Sequence, residues 1–314
     1  MRTPTIAAML AALTLALVGT TSAEIAWAEN PQTGAAADAP AGSEEGRYAN
    51  PEDGKLADGI YRNAYFALVY PLAQGWGKGH ASPPPSSPGY YVLNTPRPED
   101  GTKATMLIAA QDMFFSEPPM QNARQFVEAL ARTASPENGM HVEESPAVVK
   151  IAGVTFARLE MIGTPLLSRL VLATDIRCHV VSVSLASVDR ATLARLARSL
   201  DKISLPGEAS ATDAGSDESG TAAPLCIKDY ARGENVVRRV DPAPADPKFQ
   251  KIPARIVIGT DGKVKHIHVI EAAPQQRKNI EEALAQWELK PHLVNGQAVE
   301  VETGLMFEFK PRAP

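Results

Sequence analysis

Residues 254–270 read ARIVIGTDGKVKHIHVI, and this stretch decides the fold of the C-terminal part of the chain. Apolar and β-branched residues dominate 254–259 and 264–270, a composition typical of β-strands. Between the two runs lies Asp261-Gly262, a dipeptide that readily adopts the positive φ angles of tight hairpin turns. The stretch therefore predicts two antiparallel strands joined by a short turn.

A helix and a third strand follow this hairpin. Pro274 is typical of a first helical position, and Pro291 ends the helical pattern. The apolar residues between these prolines recur at the spacing of one buried helix face: Ile280, Ala283, Leu284 and Trp287. The Asn295-Gly296 turn then introduces a last apolar strand over residues 299–309. The pattern predicts one helix packed across a three-stranded antiparallel sheet, with Trp287 as the central packing residue.

Residues 60–205 form an earlier block with strand and helix patterns of its own. Apolar runs at 65–70 and 106–110 are followed by two hairpin patterns, at 148–161 and 170–185. Two helical patterns each bury one face, the first through Ala123, Phe126, Val127, Leu130 and Ala131, the second through Leu193, Leu196, Ala197 and Leu200. This order predicts an α+β domain in which helices cover an antiparallel sheet.

The boundary between the two blocks is a segment of small, polar and acidic residues. Residues 206–223 read PGEASATDAGSDESGTAA, a composition with almost nothing to bury. We therefore expect a flexible acidic linker over 206–224 and a second domain over 225–314. The fold class expected for the whole chain is α+β with two domains.

The N-terminus has the pattern of an export signal. Arg2 precedes an apolar run over residues 6–18, and small residues then form two cleavage patterns that end at Ala23 or Ala28. We expect a signal peptide over 1–28, a disordered leader over 29–59, and a periplasmic or secreted protein. The alternative is an uncleaved segment that holds the protein at the membrane.

Two cysteines are present, Cys178 and Cys226. Export would place them in a compartment that permits disulfides, and only one pairing exists within the chain. Such a bond would join the two predicted domains. The alternative is a pair of small buried thiols.

Charge and motifs argue against several classes of function. The net charge of −5 disfavours binding to nucleic acid, which needs a basic surface. The only metal-like pair is His266 and His268, which share one face of a strand. Without a third ligand at suitable spacing, we expect two solvent-facing histidines and no metal. No cofactor site or catalytic residue is predicted, and an enzyme whose site is assembled from scattered residues stays as an alternative.

Residues 236–309 resemble the TonB C-terminal domain family. The resemblance is carried in order by Val240-Asp241-Pro242, the 254–258 strand, Asp261-Gly262-Lys263-Val264, the 283–287 helix segment, Asn295-Gly296 and Phe307-Glu308-Phe309. The resemblance implies a module that binds a protein partner. The module would have an exposed sheet edge that pairs with an extended peptide of the partner. The candidate edge residues are Val299, Val301, Leu305, Phe307 and Phe309.

The resemblance leaves two readings of the function open. The first is a binding or scaffold module of the bacterial envelope, whose partner is an envelope or outer-membrane protein. The second is an energy transducer for outer-membrane transport, as in the better-known members of the family. The cleavable N-terminus, the extra domain and the lack of a long Pro-rich spacer favour the first reading.

The N-terminal block resembles PsbP-like proteins. The resemblance rests on Tyr65-Phe66, Tyr70-Pro71 and Gly75-Trp76, which open the block, and on the closing helix pattern of residues 193–205. These are core residues, so the resemblance implies a fold and no chemistry.

Overall fold

The computed structural model describes residues 48–78, 85, 89–135, 137, 139–163, 167–205, 223–243 and 251–309. The predicted signal peptide, the leader up to residue 47 and the linker over 206–222 lie outside the described residues.

The N-terminal domain is built on two antiparallel sheets. A three-stranded sheet has the order β1-β2-β3, and a six-stranded sheet has the order β4-β5-β9-β8-β7-β6. The elements are β1 Lys55–Ala57, β2 Ile60–Asn63, β3 Leu68–Pro71, β4 Tyr90–Asn94, β5 Ala104–Asp112, α1 Ala123–Thr133, β6 Met140–Ile151, β7 Val154–Gly163, β8 Leu167–Ile176, β9 His179–Ser187 and α2 Arg190–Ser199.

The two helices contribute to two separate apolar cores of this domain. On α1, Phe126, Val127 and Leu130 pack with Leu159 and Val171. On α2, the buried Leu196 belongs to the other core, which includes Leu170, Leu172 and Leu185. Alternate residues of β8 therefore point to opposite sides of the sheet, as the pleat requires. The α+β prediction for this domain is confirmed.

Tight two-residue turns close the two long hairpins. Ala152 and Gly153 join β6 to β7 with φ angles of 51° and 83°. Arg177 and Cys178 join β8 to β9 with φ angles of 46° and 54°. Positive φ at both central positions gives the turn twist that matches the flanking strands. The second turn places Cys178 at the tip of its hairpin.

The C-terminal domain is a four-stranded sheet with one helix. The main sheet has the order β10-β17-β12-β13, and the helix α3 packs against its apolar side. The elements are β10 Leu225–Cys226, β11 Val236–Arg238, β12 Lys251–Ile258, β13 Val264–Val269, α3 Pro274–Leu284, β14 Glu288–Leu289, β15 His292–Val294, β16 Gln297–Val299 and β17 Val301–Glu308.

The predicted helix and three antiparallel strands are present as β12, β13, β17 and α3. The structure adds a fourth strand, β10, which pairs with β17 in the parallel direction. Trp287 lies in the core, as predicted, with 3% of its surface exposed. Its indole nitrogen donates to the Val240 carbonyl at 2.8 Å, so the central aromatic residue is also satisfied in hydrogen bonding.

The prediction of a disordered leader over 29–59 is wrong for residues 48–59. Residues 51–53 form a short 3₁₀ helix with Asn50 at its N-cap, and β1 follows directly. Ala49 and Pro51 are buried, and the Asn63 side chain donates to the Pro51 carbonyl at 2.7 Å. These contacts with residues distant in sequence stabilise a segment whose composition alone offers little to bury.

Candidate functional site: a buried charge cluster between the domains

The C-terminal sheet has two covered sides. On β12, Ile252, Ala254, Ile256 and Ile258 enter the core under α3. Arg255 points to the opposite side of the sheet, as do Glu302 and Gly304 on β17. That second side faces the N-terminal domain. The contacts described below therefore join the two domains across one buried surface.

Arg255 is the centre of this interface. Its side chain is 2% exposed, and its Nη1 donates to Asp112 Oδ2 at 2.7 Å. Its Nε donates to Glu302 Oε1 at 3.1 Å, and its Nη2 donates to the Arg177 carbonyl at 3.2 Å. The guanidinium also lies 4.5 Å from the centre of the Phe114 ring. One residue of the C-terminal domain thus binds three residues of the N-terminal domain.

Glu302 is the second shared group of the cluster. Its carboxylate accepts from the Tyr65 hydroxyl at 2.7 Å and from Arg177 Nη2 at 3.0 Å. Burial alone would raise the pKa of Glu302, but the charges of Arg177 and Arg255 outweigh burial and lower it. Two guanidinium groups therefore face two carboxylates, those of Glu302 and Asp112. This balance is what a buried ionic cluster needs.

His179 lies inside the cluster as a neutral group. Its ring is fully buried, its Nδ1 lies 2.7 Å from the Arg177 carbonyl, and aromatic rings surround it. Burial, reinforced by the charge of Arg255, holds the pKa of His179 well below 6.5. Its Nε2 is 3.6 Å from Asp112 Oδ2, too far for a hydrogen bond. The contact between His179 and Asp112 is therefore not an ion pair.

Asp112 depends on the cluster for its charge. Burial raises the pKa of Asp112, and Arg255 opposes that effect. The pKa of Arg255 lies well above its usual value, because the attraction of Asp112, Tyr65 and Glu302 exceeds the cost of burial. The Phe114 backbone N–H also donates to Asp112 Oδ1 at 2.8 Å. Arg255 and this amide together stabilise the buried carboxylate.

The two strand histidines also lie at the domain interface. We expected His266 and His268 to face solvent, and that expectation is wrong. His268 Nε2 lies 2.9 Å from Glu52 Oε1, and His266 Nε2 lies 3.1 Å from Asn50 Oδ1. Burial lowers the pKa of His266 to about 4. The reason for the difference is tertiary, because residues 48–53 cover the side of β13 that the sequence pattern leaves open.

The two cysteines form a disulfide that crosses the same interface. Cys178 lies in the turn between β8 and β9, and Cys226 lies on β10, with 6.0 Å between their Cα atoms. The neighbouring residue Arg177 binds Glu302, which is also the β17 partner of Cys226. A covalent bond and an ion pair therefore join the domains at one place.

The predicted partner-binding edge is only partly open. Val299 belongs to β16, which pairs with β15, so it is not on the edge strand. The side chains of Val301, Leu305 and Phe307 enter the core, and Phe309 follows the end of the strand and packs against that core. The predicted edge differs because the chain changes its pairing partner at Glu300. Before this residue β16 pairs with β15, and after it β17 pairs with β12, a change that no residue pattern marks.

The backbone of β17 divides the edge into two parts. The Leu225 N–H donates to the Glu300 carbonyl at 2.8 Å, and the Ile227 N–H donates to the Glu302 carbonyl at 3.0 Å. Alternate residues direct their backbone groups to the same side of a strand, so those of Gly304, Met306 and Glu308 also face outward. Among the described residues, no strand pairs with this second part. We call residues 304–308 the open edge and residues 300–302 the covered edge.

The other long edge strand, β6, carries features that discourage strand pairing. Pro146 lacks a backbone N–H, Lys150 adds a charge, and the register with β7 shifts twice before residue 147. Proline, lysine and bulges are common devices that protect sheet edges. Two surface pockets, of about 110 and 150 Å³, flank this strand.

The described part of the chain offers neither a metal centre nor a membrane span. No group of three or more His, Cys, Asp or Glu side chains in these ranges could hold a metal ion. No helix in the same ranges is long and apolar enough to cross a membrane.

Comparison with known proteins finds a family match in the C-terminal domain. Residues 251–311 match the family described as Gram-negative bacterial TonB protein C-terminal. This match confirms the family that the sequence motifs indicated for this part of the chain. No curated protein matches the chain.

Two solved structures are similar to parts of the chain. One is the solution structure of the TonB C-terminal domain from Pseudomonas aeruginosa, at 21% identity, covering 28% of this chain and 96% of that chain, with a TM-score of 0.22. The other is the solution structure of PsbP from the cyanobacterium Synechocystis, at 15% identity, covering 48% of this chain and 88% of that chain, with a TM-score of 0.32.

Sequence reasoning missed the residues that join the domains. Arg255 stands within the strand ARIVI, whose continuous apolar run Ile256-Val257-Ile258 is a signal that both sides of the strand are covered. Asp112 ends β5 and Arg177 lies in a turn, positions where charged residues are ordinary. Only Arg255 could have been identified as unusual from the sequence.

Proposed function

We propose that this chain is an exported protein of the Gram-negative cell envelope that binds a protein partner and catalyses no reaction. The family match supports the envelope location and a protein partner in general. The observation that carries the binding mode is the open edge of β17, where the backbone groups of Gly304, Met306 and Glu308 face outward. Unpaired edge groups of this kind can add an extended peptide as a further strand.

The surroundings of the open edge favour an apolar partner segment. Met306 is 37% exposed, a large fraction for an apolar side chain on a strand. Beside it, Gly304 has no side chain, and an added Cβ would lie 2.9 Å from both Phe114 and Phe115 of the N-terminal domain. The N-terminal domain therefore packs directly beneath the edge. We propose that the buried charge cluster serves to hold the edge strand rigid against it.

Photo-crosslinking in the envelope of the host tests the open edge. A photoreactive phenylalanine analogue at Met306 is expected to crosslink to a partner protein. The same analogue at Leu293, which is 60% exposed in the hairpin of β15 and β16, is the control. Equal crosslinking from both positions would contradict the proposal.

Binding of the crosslinked partner by purified protein then tests the pairing mode. Met306→Pro removes one outward N–H, while Met306→Ala shortens the side chain and keeps that N–H. We expect the proline variant to bind at least about tenfold more weakly than the alanine variant, the effect of losing about 1.4 kcal/mol. Equal binding by the two variants would show that the partner does not pair with this backbone.

The energy transducer is a second candidate, and the family match favours it as well. The two candidates differ in the N-terminus, because a transducer keeps its membrane segment. Intact mass of the protein from the host envelope separates them. A chain that starts at Glu24 or Glu29 supports the exported binding protein, whereas a chain that retains Met1 in the membrane fraction supports the transducer.

A further inference from the structure

The covered edge of β17 is occupied by the protein's own chain. Residues 225–227 lie beside Glu300 and Glu302 in the parallel direction and make two backbone hydrogen bonds, of 2.8 and 3.0 Å. β10 is only two residues long, and just two β17 residues pair with it. A strand this short contributes few hydrogen bonds, so its position depends on what anchors it.

Ile227 packs against the C-terminal core, and two further anchors hold this short strand in place. On the chain beyond it, the Tyr230 N–H donates to Thr303 Oγ1 at 3.1 Å, and the Tyr230 hydroxyl donates to the Lys290 carbonyl at 2.7 Å. Within β10 itself, the anchor is the disulfide between Cys226 and Cys178 of the N-terminal domain. Tyr230 fixes where the segment ends, and the disulfide fixes the segment against the edge.

We propose that residues 225–227 are a built-in occupant of the strand-addition site, and that the Cys178–Cys226 disulfide controls whether an external peptide can pair with the whole of β17. With the disulfide formed, a partner reaches only the open edge. With the disulfide reduced, residues 223–229 leave the covered edge up to the Tyr230 anchor. The pairing surface then extends without interruption from residue 300 to residue 308.

The location of the disulfide allows this exchange. Both cysteines are half-buried, so neither lies in the closed core of its domain. Lys228 and Asp229, which follow the strand, are exposed, and Asp229 has a φ of 65° where the chain turns away. The Arg177–Glu302 ion pair and the Arg255 contacts remain after reduction, since none of them involves β10. The domains therefore stay joined while the strand is released.

The redox step is a thiol–disulfide exchange with a dithiol protein of the envelope. One thiolate of the dithiol attacks a sulfur of the Cys178–Cys226 bond, forms a mixed disulfide and releases the other cysteine as a thiolate. The second thiol of the dithiol then displaces the remaining cysteine. In total, two electrons and two protons pass to Cys178 and Cys226, and the dithiol leaves as a disulfide.

Hydrogen exchange on the full exported chain tests the release directly, with no partner present. We expect the amides of Leu225 and Ile227 to exchange at least tenfold faster in the Cys178→Ser/Cys226→Ser variant than in the oxidised protein. The amides of Ala254 and Ile256 in the same sheet serve as internal controls and should keep their protection. Unchanged protection of Leu225 and Ile227 would overturn the proposal.

A binding assay tests whether release opens the site. The probe is a fluorescent peptide with the chain's own residues 223–229, in which Ser replaces Cys226. A further variant combines the two serine substitutions with Leu225→Pro and Ile227→Pro, which remove both N–H donors of the tethered strand. We expect the peptide to bind this variant at least tenfold more tightly than the oxidised protein, with the double-serine protein in between.

The outcomes separate this inference from the function on which it rests. Control of the β17 edge by the disulfide would be overturned by equal peptide binding to the oxidised protein and the proline variant. It would also be overturned if the peptide fails to bind a proline variant whose Trp287 fluorescence shows a native core. The proposed function would survive either result if crosslinking at Met306 still depends on the open edge. If that crosslinking is lost while the peptide still binds the proline variant more tightly than the oxidised protein, the proposed function alone is refuted.

Discussion

Replacing Arg255 by methionine should destabilise the whole chain, because Arg255 is the group that both domains share. Methionine fills much of the same volume and removes the charge. Asp112 is fully buried and would lose its ion pair with the Arg255 guanidinium, at 2.7 Å. Glu302 would keep Arg177 and Tyr65. The perturbation therefore leaves one buried carboxylate without a cation.

The magnitude follows from the cost of an uncompensated buried charge. Removing one partner of a buried pair typically costs about 3–5 kcal/mol, because the remaining charge cannot be hydrated. Arg255→Met should cost an amount in this range. An exposed pair gives the contrast: Arg124 is 71% exposed beside Glu128, and Arg124→Met should cost less than about 1 kcal/mol.

Urea unfolding at pH 7.5 under oxidising conditions measures these values. Trp76 is buried in the N-terminal domain and Trp287 in the C-terminal domain, so fluorescence monitors both cores. A loss below about 1 kcal/mol for Arg255→Met would refute the reasoning, since it would place the cluster among weak surface pairs.

A double variant tests the cause of the loss. Asp112→Asn removes the carboxylate that Arg255→Met leaves without a partner. The protein with both changes should therefore be more stable than the protein with Arg255→Met alone. Simple addition of the two single losses would show that the stranded charge is not the source of the effect.

Three further predictions concern the rest of the chain. Arg169 is 3% exposed, and among the residues that the structure describes its Nε and Nη1 have no hydrogen-bond partner. Arg169→Met should therefore raise the free energy of unfolding by about 1–3 kcal/mol, whereas Arg190→Met, at an exposed position, should change it by less than about 0.5 kcal/mol. A loss of stability from Arg169→Met in urea unfolding would contradict this prediction. Burial lowers the pKa of His266 to about 4, below the value of 6.5 for the unfolded chain. The unfolded state therefore binds more protons between these two values, so stability should fall as the pH falls through that window. His266→Gln should reduce this pH dependence, and a urea midpoint equal at pH 7 and pH 5 would exclude it. Trp287→Ala should cost about 3–5 kcal/mol in the same assay, and a cost under about 1 kcal/mol would mean that Trp287 is not the central packing residue.

The local patterns predicted the elements well, for a physical reason. The Asp261-Gly262 turn, the helical spacing that ends at Trp287 and the alternation of β12 depend on neighbours within a few residues. Turn geometry and side-chain periodicity are local properties, so composition and spacing contain them. The family motifs added the order of the C-terminal strands. The α+β class and the TonB-type domain could both be predicted in this way.

The failures share the opposite cause. Residues 48–59 were predicted to be disordered, yet they pack against His266, His268 and Asn63, which are distant in sequence. The disulfide had to be left open, because one pairing in the sequence does not show that two Cα atoms lie 6.0 Å apart. Nor could the covered part of the β17 edge be predicted, because β10 is too short to form a recognisable strand pattern.

The sequence by itself determined which residues become strands and helices, which family the C-terminal domain resembles, and that Trp287 lies in its core. Only the tertiary structure decided that the second side of the C-terminal sheet is buried against the N-terminal domain. The physical reason is that a buried ionic cluster depends on distances between groups far apart along the chain. Asp112, Arg177, Arg255 and Glu302 are ordinary charged residues until folding brings their charged atoms within about 3 Å of one another.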